Sequence, residues 1–324
     1  MKIVIAGGSG FLGRPLTAAC ARDGHDIVVL TRGSNSSLQV GSTSSPQTDR
    51  AGAPMARTRT VAWNPNGQLG PWAAEIDGAD AVVNLAGESI AGRRWTPAQK
   101  ARILESRVQA TRSLAAAIRA SAAPPPVFIS GSAVGYYGPL GDEAATEETP
   151  AGRDFLAGVC EQWEAEARSA ASDRTRVACI RTGIVLETDG GALPQMLPPF
   201  RFGAGGPVGS GRQYWSWIHR DDWIALVRWA MATPAAAGAL NATAPHPVTN
   251  AVFARALGRA MHRTAFMPAP AFALRLLLGE MADALLLSGQ NAVPAKATRG
   301  GFQFRYEHVD EALGAIFGRS SRTR

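Results

Sequence analysis

Three glycines, spaced three residues apart, directly follow a short apolar run at the start of this sequence. The run 3–6 is Ile-Val-Ile-Ala, the glycines are Gly7, Gly10 and Gly13, and a helical pattern of apolar residues begins at once. This order predicts a strand, a tight turn and a helix. Such a turn lets the backbone, here including Phe11 and Leu12, approach a pyrophosphate, and the first N–H groups of the helix hold its negative charge. The context therefore predicts a dinucleotide site.

The end of the second predicted strand indicates which dinucleotide is bound. The strand covers 25–31 and is followed by Arg32, where an NAD site usually carries Asp or Glu to accept a hydrogen bond from the ribose 2′-hydroxyl. A guanidinium beside the hydroxyl of Thr31 suits a 2′-phosphate, because Arg presents a fork of donors to phosphate oxygens. We therefore expect NADP(H) in preference to NAD(H). The alternative is that Arg32 is a solvated loop residue.

Strands and helices alternate along the first half of the chain. We predict strands at 3–6, 25–31, 59–63, 81–85, 127–130, 177–182 and 238–242, and helices from 13 onward, at 96–120 and at 154–171. This alternation predicts an α/β fold of Rossmann type, with a doubly wound parallel sheet covered on both faces. We expect a cofactor-binding domain over 1–183, which also receives about 218–245. A smaller, mostly helical C-terminal lobe takes 184–217 and 246–324. Segment 33–58, rich in Ser, Thr, Gly and Pro, is predicted to be a flexible insertion.

Composition restricts the class of protein. Hydrophobic residues make up 46% of the chain and supply a large core, while the formal charge of +7 comes from scattered Lys and Arg residues. A solvated helix face explains the densest basic stretch, 93–112, so we expect no nucleic-acid partner. The late apolar stretch 269–287 is interrupted by charges, so we expect no membrane span. Three widely spaced cysteines and the lack of a cleavage signal indicate a cytoplasmic protein, and no metal-ligand cluster is visible.

Several motifs together resemble the extended short-chain dehydrogenase/reductase superfamily of NAD(P)-dependent epimerase/dehydratase type. They are Gly-Gly-Ser-Gly-Phe-Leu-Gly at 7–13, Asn-Leu-Ala-Gly at 84–87, Ile-Ser-Gly-Ser-Ala-Val-Gly-Tyr-Tyr-Gly at 129–138, Arg181, and Trp-Ile-His-Arg-Asp-Asp at 217–222. The chain looks most similar to an atypical subgroup, the "epimerase family" proteins, which carry a small C-terminal domain. The resemblance implies that Leu85, Ala86, Gly87, Ser130 and Arg181 belong to the cofactor site.

One departure limits what the resemblance implies about chemistry. In the superfamily a Ser or Thr aligns the substrate, and a Tyr with a Lys four residues later transfers the proton; the Lys lowers the Tyr pKa. Ser132 matches the first position. Leu156 and Cys160 occupy the positions of the Tyr and the Lys, and the helix at 154–171 contains neither residue type. The usual acid/base pair is therefore absent.

Two other residues are candidates for the missing role. Tyr136 lies at the end of the fifth strand, where it either donates a proton or packs against the cofactor. Glu88 follows the Asn-Leu-Ala-Gly motif, where it either acts as acid or base or orients the loop by pairing with Arg93 or Arg94. Cys160 has no evident basic partner, so we expect a small core residue rather than a nucleophile.

The substrate pocket is predicted from aromatic and glycine-rich segments. Five glycines within 203–211 precede Trp217, and such loops suit a cleft where backbone and flat side chains meet a ligand. Trp217 either contacts substrate or packs the two lobes together. We also assign Arg94, Trp95 and Tyr137 to this pocket.

These patterns favour an NADP(H)-dependent oxidoreductase or epimerase acting on a small carbonyl or sugar-type substrate, held by Ser132. The alternative is a catalytically quiet NADP(H)-binding sensor or regulatory protein, as in relatives described as cell-division-inhibitor-like. The resemblance also implies a homodimer formed through the helices at 97–120 and 154–171.

Substitution of Arg32 tests the choice of cofactor. A charge-assisted hydrogen bond contributes about 1.5–3 kcal/mol, so Arg32→Ala should weaken NADPH binding by roughly ten- to a hundredfold and leave NADH binding unchanged. Fluorescence titration with both nucleotides measures this. An unchanged NADPH affinity would contradict the assignment.

Overall fold

The computed structural model describes residues 1–33 and 57–320. The strands are β1 (Lys2–Ala6), β2 (Asp26–Thr31), β3 (Thr58–Ala62), β4 (Ala81–Asn84), β5 (Val127–Ala133), β6 (Ala144–Ala145), β7 (Arg176–Thr182), β8 (Ile184–Leu186), β9 (Tyr214–Trp215), β10 (Trp217–His219), β11 (Gly238–Ala242), β12 (Val248–Thr249) and β13 (Asn291–Ala292). The helices are α1 (Gly13–Arg22), α2 (Pro97–Ala120), α3 (Phe155–Arg168), α4 (Leu193–Arg201), α5 (Arg220–Ala232), α6 (Asn250–Ala260), α7 (Ala271–Leu278), α8 (Glu280–Ala282), α9 (Ala295–Arg299) and α10 (Val309–Ser320). Most of the predicted insertion, 34–56, lies outside the described residues.

Seven parallel strands form the central sheet, in the order β11-β7-β5-β4-β1-β2-β3. The chain runs outward from β1 to β3 and then crosses back to β4, so the strand order reverses between β1 and β4. In open parallel sheets ligands bind at the carboxyl ends of the strands beside such a reversal. The sheet confirms the predicted doubly wound fold and places the glycine turn, which follows β1, at this point.

Alternating side chains of the strands build two cores, one on each face of the sheet. On one face Ile3, Ile5 and Val29 pack with Leu16 of α1 and Trp223 of α5. On the other face, alternate strand residues pack with the inward sides of α2 and α3, for example Val4, Val28, Phe128, Leu114, Ile118 and Ala167. Period-two alternation sends successive residues to opposite faces, and both faces are apolar because both are covered by helices.

The fifth strand is longer than the sequence predicts. We predicted 127–130, whereas β5 continues to Ala133 because it stays paired with β7, with Ser132 opposite Arg181 and Ala133 opposite Thr182. Gly131, Ser132 and Ala133 have no strong strand preference, and their pairing with β7 holds them in the sheet. Ser132 therefore lies within a strand, where its position is fixed by the sheet rather than by a loop.

The C-terminal lobe has its own core. Trp215, Trp217 and Phe253 pack with Leu313 of α10 and neighbouring apolar residues. The short parallel pair of β13 with β6 attaches this lobe to the loops after β5.

None of the helices in the described residues is long and apolar enough to cross a membrane.

Two glycines with opposite surroundings give a test of the packing. A Cβ on Gly13 would lie 2.1 Å from the carbonyl oxygen of Gly7, whereas a Cβ on Gly158, in α3, would meet nothing within 4 Å. Gly13→Ala should lower the free energy of unfolding by about 1–3 kcal/mol, the usual cost of overpacking. Gly158→Ala should raise it by about 0.5–1 kcal/mol, because Ala loses less entropy in a helix. Urea unfolding measures both, and equal changes would contradict the packing described.

Candidate active site

The glycine turn has the features of a phosphate cradle. Gly7 has a φ of +79°, and a Cβ there would lie 2.7 Å from the carbonyl carbon of Leu85, so glycine is required by both backbone conformation and space. Helix α1 begins after Leu12 without a side-chain cap, and its first turn contains no acidic residue. The amide of Arg14 donates to the carbonyl oxygen of Gly10 and Pro15 has no N–H. The amides of Leu12 and Gly13 have no hydrogen-bond partner among the described residues, so they can donate to an anion such as the diphosphate of a dinucleotide.

A single cavity of about 550 Å³ extends from this turn to the C-terminal lobe. Among the described residues its wall combines the glycine turn, the ends of β4 and β5, one side of α2 and α3, and segment 284–290. The wall is mainly apolar, with Leu156, Val159 and Trp163 contributed by α3. A cavity of this kind suits a cofactor together with a small, largely apolar substrate.

The positions that carry the acid/base pair in the wider superfamily face this cavity. Leu156 and Cys160 lie one helical turn apart on α3, and both line the wall. Burial raises the pKa of the Cys160 thiol to about 12, and the negative charge of Glu164 is the second-largest cause of this rise. Cys160 is therefore a protonated thiol at neutral pH and no nucleophile. This side of the cavity offers neither a phenol nor an amine.

Ser132 is part of a buried ionic network. Its hydroxyl donates to Oε1 of Glu164 at 2.8 Å. The guanidinium of Arg181 meets the same carboxylate with two bonds, Nε to Oε1 at 2.8 Å and Nη2 to Oε2 at 3.0 Å. Because its proton points to Glu164, Ser132 offers the cavity a lone pair, so it can accept a hydrogen bond from a bound hydroxyl group.

The charge of Arg181 is fixed by this network. Burial alone would lower the pKa of Arg181, but hydrogen bonding to Glu164 and its charge outweigh burial and raise that pKa. The carboxylate is fully buried and also accepts from Arg168 Nη1 at 3.1 Å. Both oxygens of the Glu164 carboxylate accept hydrogen bonds from arginine, and Oε1 also accepts the bond that holds Ser132 in place.

The predicted cofactor residues divide into three groups, apart from Arg181. Those that line the cavity are Gly7, Gly10, Phe11, Leu12, Gly13, Leu85 and Gly87. Thr31 and the exposed Arg32 stand at the carboxyl end of β2, next to residues outside the described part, and their contact with a 2′-phosphate stays a prediction. Ala86 and Ser130 are engaged locally, the amide of Ala86 with Asn84 and the hydroxyl of Ser130 with the carbonyl of Gly131.

Arg181 and Tyr137 require correction, because both side chains are used inside the protein. The guanidinium of Arg181 is committed to Glu164 and does not reach the cavity wall, so the structure gives no support for its predicted cofactor contact. Tyr137 is 1% exposed, and its hydroxyl donates to Asn241 Oδ1 at 2.7 Å. It belongs to the core rather than to a substrate pocket.

The other predicted substrate residues also lie outside the wall. Trp217 is 0% exposed and packs in the C-terminal core, so the packing alternative describes it. Trp95 is buried against Phe155, and its indole N–H donates to the carbonyl of Ile90. Arg94 is exposed beside Gly279. Each side chain is directed by neighbours that the sequence alone does not identify.

The two candidates for proton transfer are placed differently from the prediction. The ring of Tyr136 covers the guanidinium of Arg181, with the Cζ atom 3.4 Å from the ring centroid, and Tyr136 is not part of the cavity wall. Glu88 is half-buried outside the wall, and its amide donates to Ser106 Oγ at 2.9 Å. The structure therefore favours packing for Tyr136 and loop anchoring at Glu88.

Sequence reasoning missed several cavity residues. Arg107, Trp163, Tyr214 and Gln290 come from four separate segments that meet only in the folded chain. Arg107 lies in the basic stretch 93–112, which we interpreted as a solvated helix face, so its type gave no signal for the cavity. No pattern in the sequence relates Tyr214 or Gln290 to α3.

One surface cluster of ligand type occurs within the described residues. The ligand atoms of His246, Glu307 and His308 lie within 4.8 Å of one another, and all three residues are exposed. None of them lines the cavity, so the cluster is separate from the candidate active site.

Glu164 and Glu166 offer a matched test of the buried network. Glu164→Ala leaves the buried Arg181 without its counter-charge, which should cost about 3–5 kcal/mol of unfolding free energy. Glu166→Ala removes a surface pair with Arg112 and should cost less than about 1 kcal/mol. Urea unfolding followed by circular dichroism compares them, with Glu164→Gln as a milder variant that keeps the shape. Similar losses for the two Ala variants would contradict the network.

Comparison with known proteins agrees with this geometry. The model of the NAD dependent epimerase/dehydratase family matches residues 3–242, and a domain of unknown function matches residues 269–316. An Arabidopsis thaliana protein, "epimerase family protein SDR39U1 homolog, chloroplastic", is 41% identical and covers 98% of this chain and 86% of its own length. Bacillus subtilis epimerase family protein YfhF is 36% identical, with 98% of each chain covered.

A solved structure resembles the whole chain. The crystal structure of human epimerase family protein SDR39U1 with NADPH is 33% identical, has a TM-score of 0.85, and covers 98% of this chain and 99% of that chain. The glycine turn, the parallel sheet and the matched residues lead to one conclusion. The chain belongs to the NAD-dependent epimerase/dehydratase family, and it is of the SDR39U1 type.

Proposed function

We propose that this protein is an NADP(H)-dependent oxidoreductase acting on a small substrate that carries a hydroxyl or carbonyl group. The observation that carries the proposal is the continuous cavity, which connects the phosphate cradle with Ser132 and an apolar space closed by residues 284–290. A protein that only stored the nucleotide would not require this additional space.

The choice of NADP(H) is supported by two observations. Arg32 stands exposed at the carboxyl end of β2, the position from which the adenosine ribose is contacted in such folds. The similar human protein was crystallised with NADPH. A guanidinium at this position favours a ribose that bears a phosphate.

Residues of this chain account for binding and orientation. When bound, the nicotinamide supplies hydride transfer. Ser132, held by Glu164, accepts a hydrogen bond from the hydroxyl group of the alcohol form of the substrate and so positions the carbon that bears it. The carbonyl form has no proton to donate to Ser132, so water in the cavity donates the hydrogen bond to its oxygen. The structure does not support the predicted relay through Tyr136, and a water molecule in the cavity takes or delivers the proton. The apolar wall from α3 keeps other water away from the reacting carbon.

A second function is favoured by the residues at the superfamily's acid/base positions. Leu156 and Cys160 provide no proton donor of suitable pKa, so binding without turnover is the natural rival. In that case the protein is a sensor that responds to NADP(H) and presents an altered surface to a partner.

Turnover experiments separate the two functions. NADPH oxidation is measured against carbonyl compounds and nucleotide sugars, and NADP⁺ reduction against the matching alcohols. For the oxidoreductase, Ser132→Ala should lower kcat by roughly a hundredfold, as expected for loss of a positioned hydrogen-bonding group, and leave NADPH affinity unchanged. Ser132→Thr keeps the hydroxyl and should retain part of the activity.

Other results would contradict the oxidoreductase. If NADPH binds tightly and no compound is turned over, the sensor is supported. If neither nucleotide binds, both functions are refuted.

A further inference from the structure

Arg107 is a cation in the cavity wall with almost no protein partner. Its side chain makes one hydrogen bond, from Nη1 to the carbonyl oxygen of Ile103 in its own helix, at 2.9 Å. Within the described residues no carboxylate forms an ion pair with it. Burial lowers the pKa of Arg107, and the negative charge of Glu88 offsets this only in part, so the charge of Arg107 is costly to keep in these surroundings.

Two other arginines that reach into the fold have several hydrogen-bond acceptors each. Arg181 binds Glu164 with two bonds and also donates to Tyr137 and to the carbonyl of Glu147. Arg176 donates to three carbonyl groups at the end of α5 and just beyond it. Among residues 1–33 and 57–320, the Arg107 side chain has one hydrogen-bond acceptor, the carbonyl of Ile103, and four of its five N–H groups have none.

The surroundings hold the guanidinium at the cavity. The Cζ atom lies 5.2 Å from the ring centroid of Trp163, and a Cβ on Gly87 would come within 3.2 Å of it. Ile103, Leu156 and Val159 complete an apolar wall. A charge placed in such surroundings attracts an opposite charge more strongly than it would in water.

Arg107 and the phosphate cradle approach the cavity from opposite faces of the sheet. The cradle uses the first turn of α1, which packs on one face of the sheet. Arg107 belongs to α2, which packs on the other face. Its guanidinium contacts Trp163 of α3. Helix α3 also carries Leu156 and Cys160. The cradle already provides N–H groups for the cofactor's phosphates, so a second anion is needed to explain Arg107.

We propose that Arg107 binds a carboxylate of the substrate, so that the substrate is an acid with an apolar body and a hydroxyl or carbonyl group. Arg presents two parallel N–H donors to a carboxylate, and the apolar wall accepts the remainder of the molecule. This inference deepens the proposed function and rests on it for the identity of the ligand as a substrate.

The test compares acids with their amides on the NADPH-loaded protein. Isothermal titration calorimetry with hexanoate against hexanamide, and phenylacetate against phenylacetamide, isolates the charge because each pair has the same body. The acids should bind at least tenfold more tightly to the wild type. Arg107→Met should abolish that preference, and Arg107→Lys should keep part of it.

A variant of the same helix serves as the control. Arg112→Met removes an arginine whose side chain pairs with Glu166 outside the cavity, and it should keep the full preference for acids. NADPH affinity should stay within twofold in all variants, which also shows that they are folded.

Three outcomes would overturn the inference. The wild type binds neither member of a pair, or it binds acid and amide equally. Alternatively, Arg107→Met weakens NADPH binding at least tenfold and keeps the preference for acids, which would assign Arg107 to the cofactor. If the protein prefers acids but turns over no compound, the role of Arg107 in binding a carboxylate is supported and the oxidoreductase is refuted. If it turns over neutral compounds and shows no preference for acids, the oxidoreductase is supported and the role of Arg107 is refuted.

Discussion

A carboxylate in a protein interior stays charged only where cations and donors replace the water it has lost. Glu164 meets this requirement through Arg181, Arg168 and Ser132, which come from three segments of the fold. The network continues from Arg181 to Tyr137 and Asn241, and so reaches β11 at the edge of the sheet. The position of Ser132 in the cavity wall depends on this one ionic contact.

The network also explains how a serine can keep its place when its usual companions are absent. In a Tyr–Lys site the serine hydroxyl is oriented by substrate and tyrosine together. Here the carboxylate of Glu164 fixes it before any ligand arrives, since Ser132 is 4% exposed and its proton is already used. Preorganisation of this kind lowers the cost of ordering a substrate, and it restricts Ser132 to the role of acceptor.

Local signals were enough for the sheet and the cofactor turn, and they failed where the answer depended on distant neighbours. The roles of Gly7 and Gly13 can be predicted from the sequence, because the turn requires glycine at both positions and apolar runs flank it. Tyr137 and Trp217 look like pocket residues by type, yet both are in the core, because Asn241 and Phe253, far along the chain, provide their surroundings. Arg107 was missed for the opposite reason. A basic residue on a helix is ordinarily solvated, and only the assembled α2, α3 and loop at Gly87 show that this one is not.

The pairing of β13 with β6 has a consequence for how the molecule is made. Asn291 lies beside Ala144, and segment 284–290 closes the cavity directly before it. The strands of the sheet and the phosphate cradle are complete once Ala242 has been synthesised. The cavity, by contrast, has to wait for a contact between residues far apart in the chain, the kind of contact that forms slowly. A growing chain therefore acquires its nucleotide cradle well before residues 284–290 complete the wall of the cavity, so that wall depends on a late part of the chain.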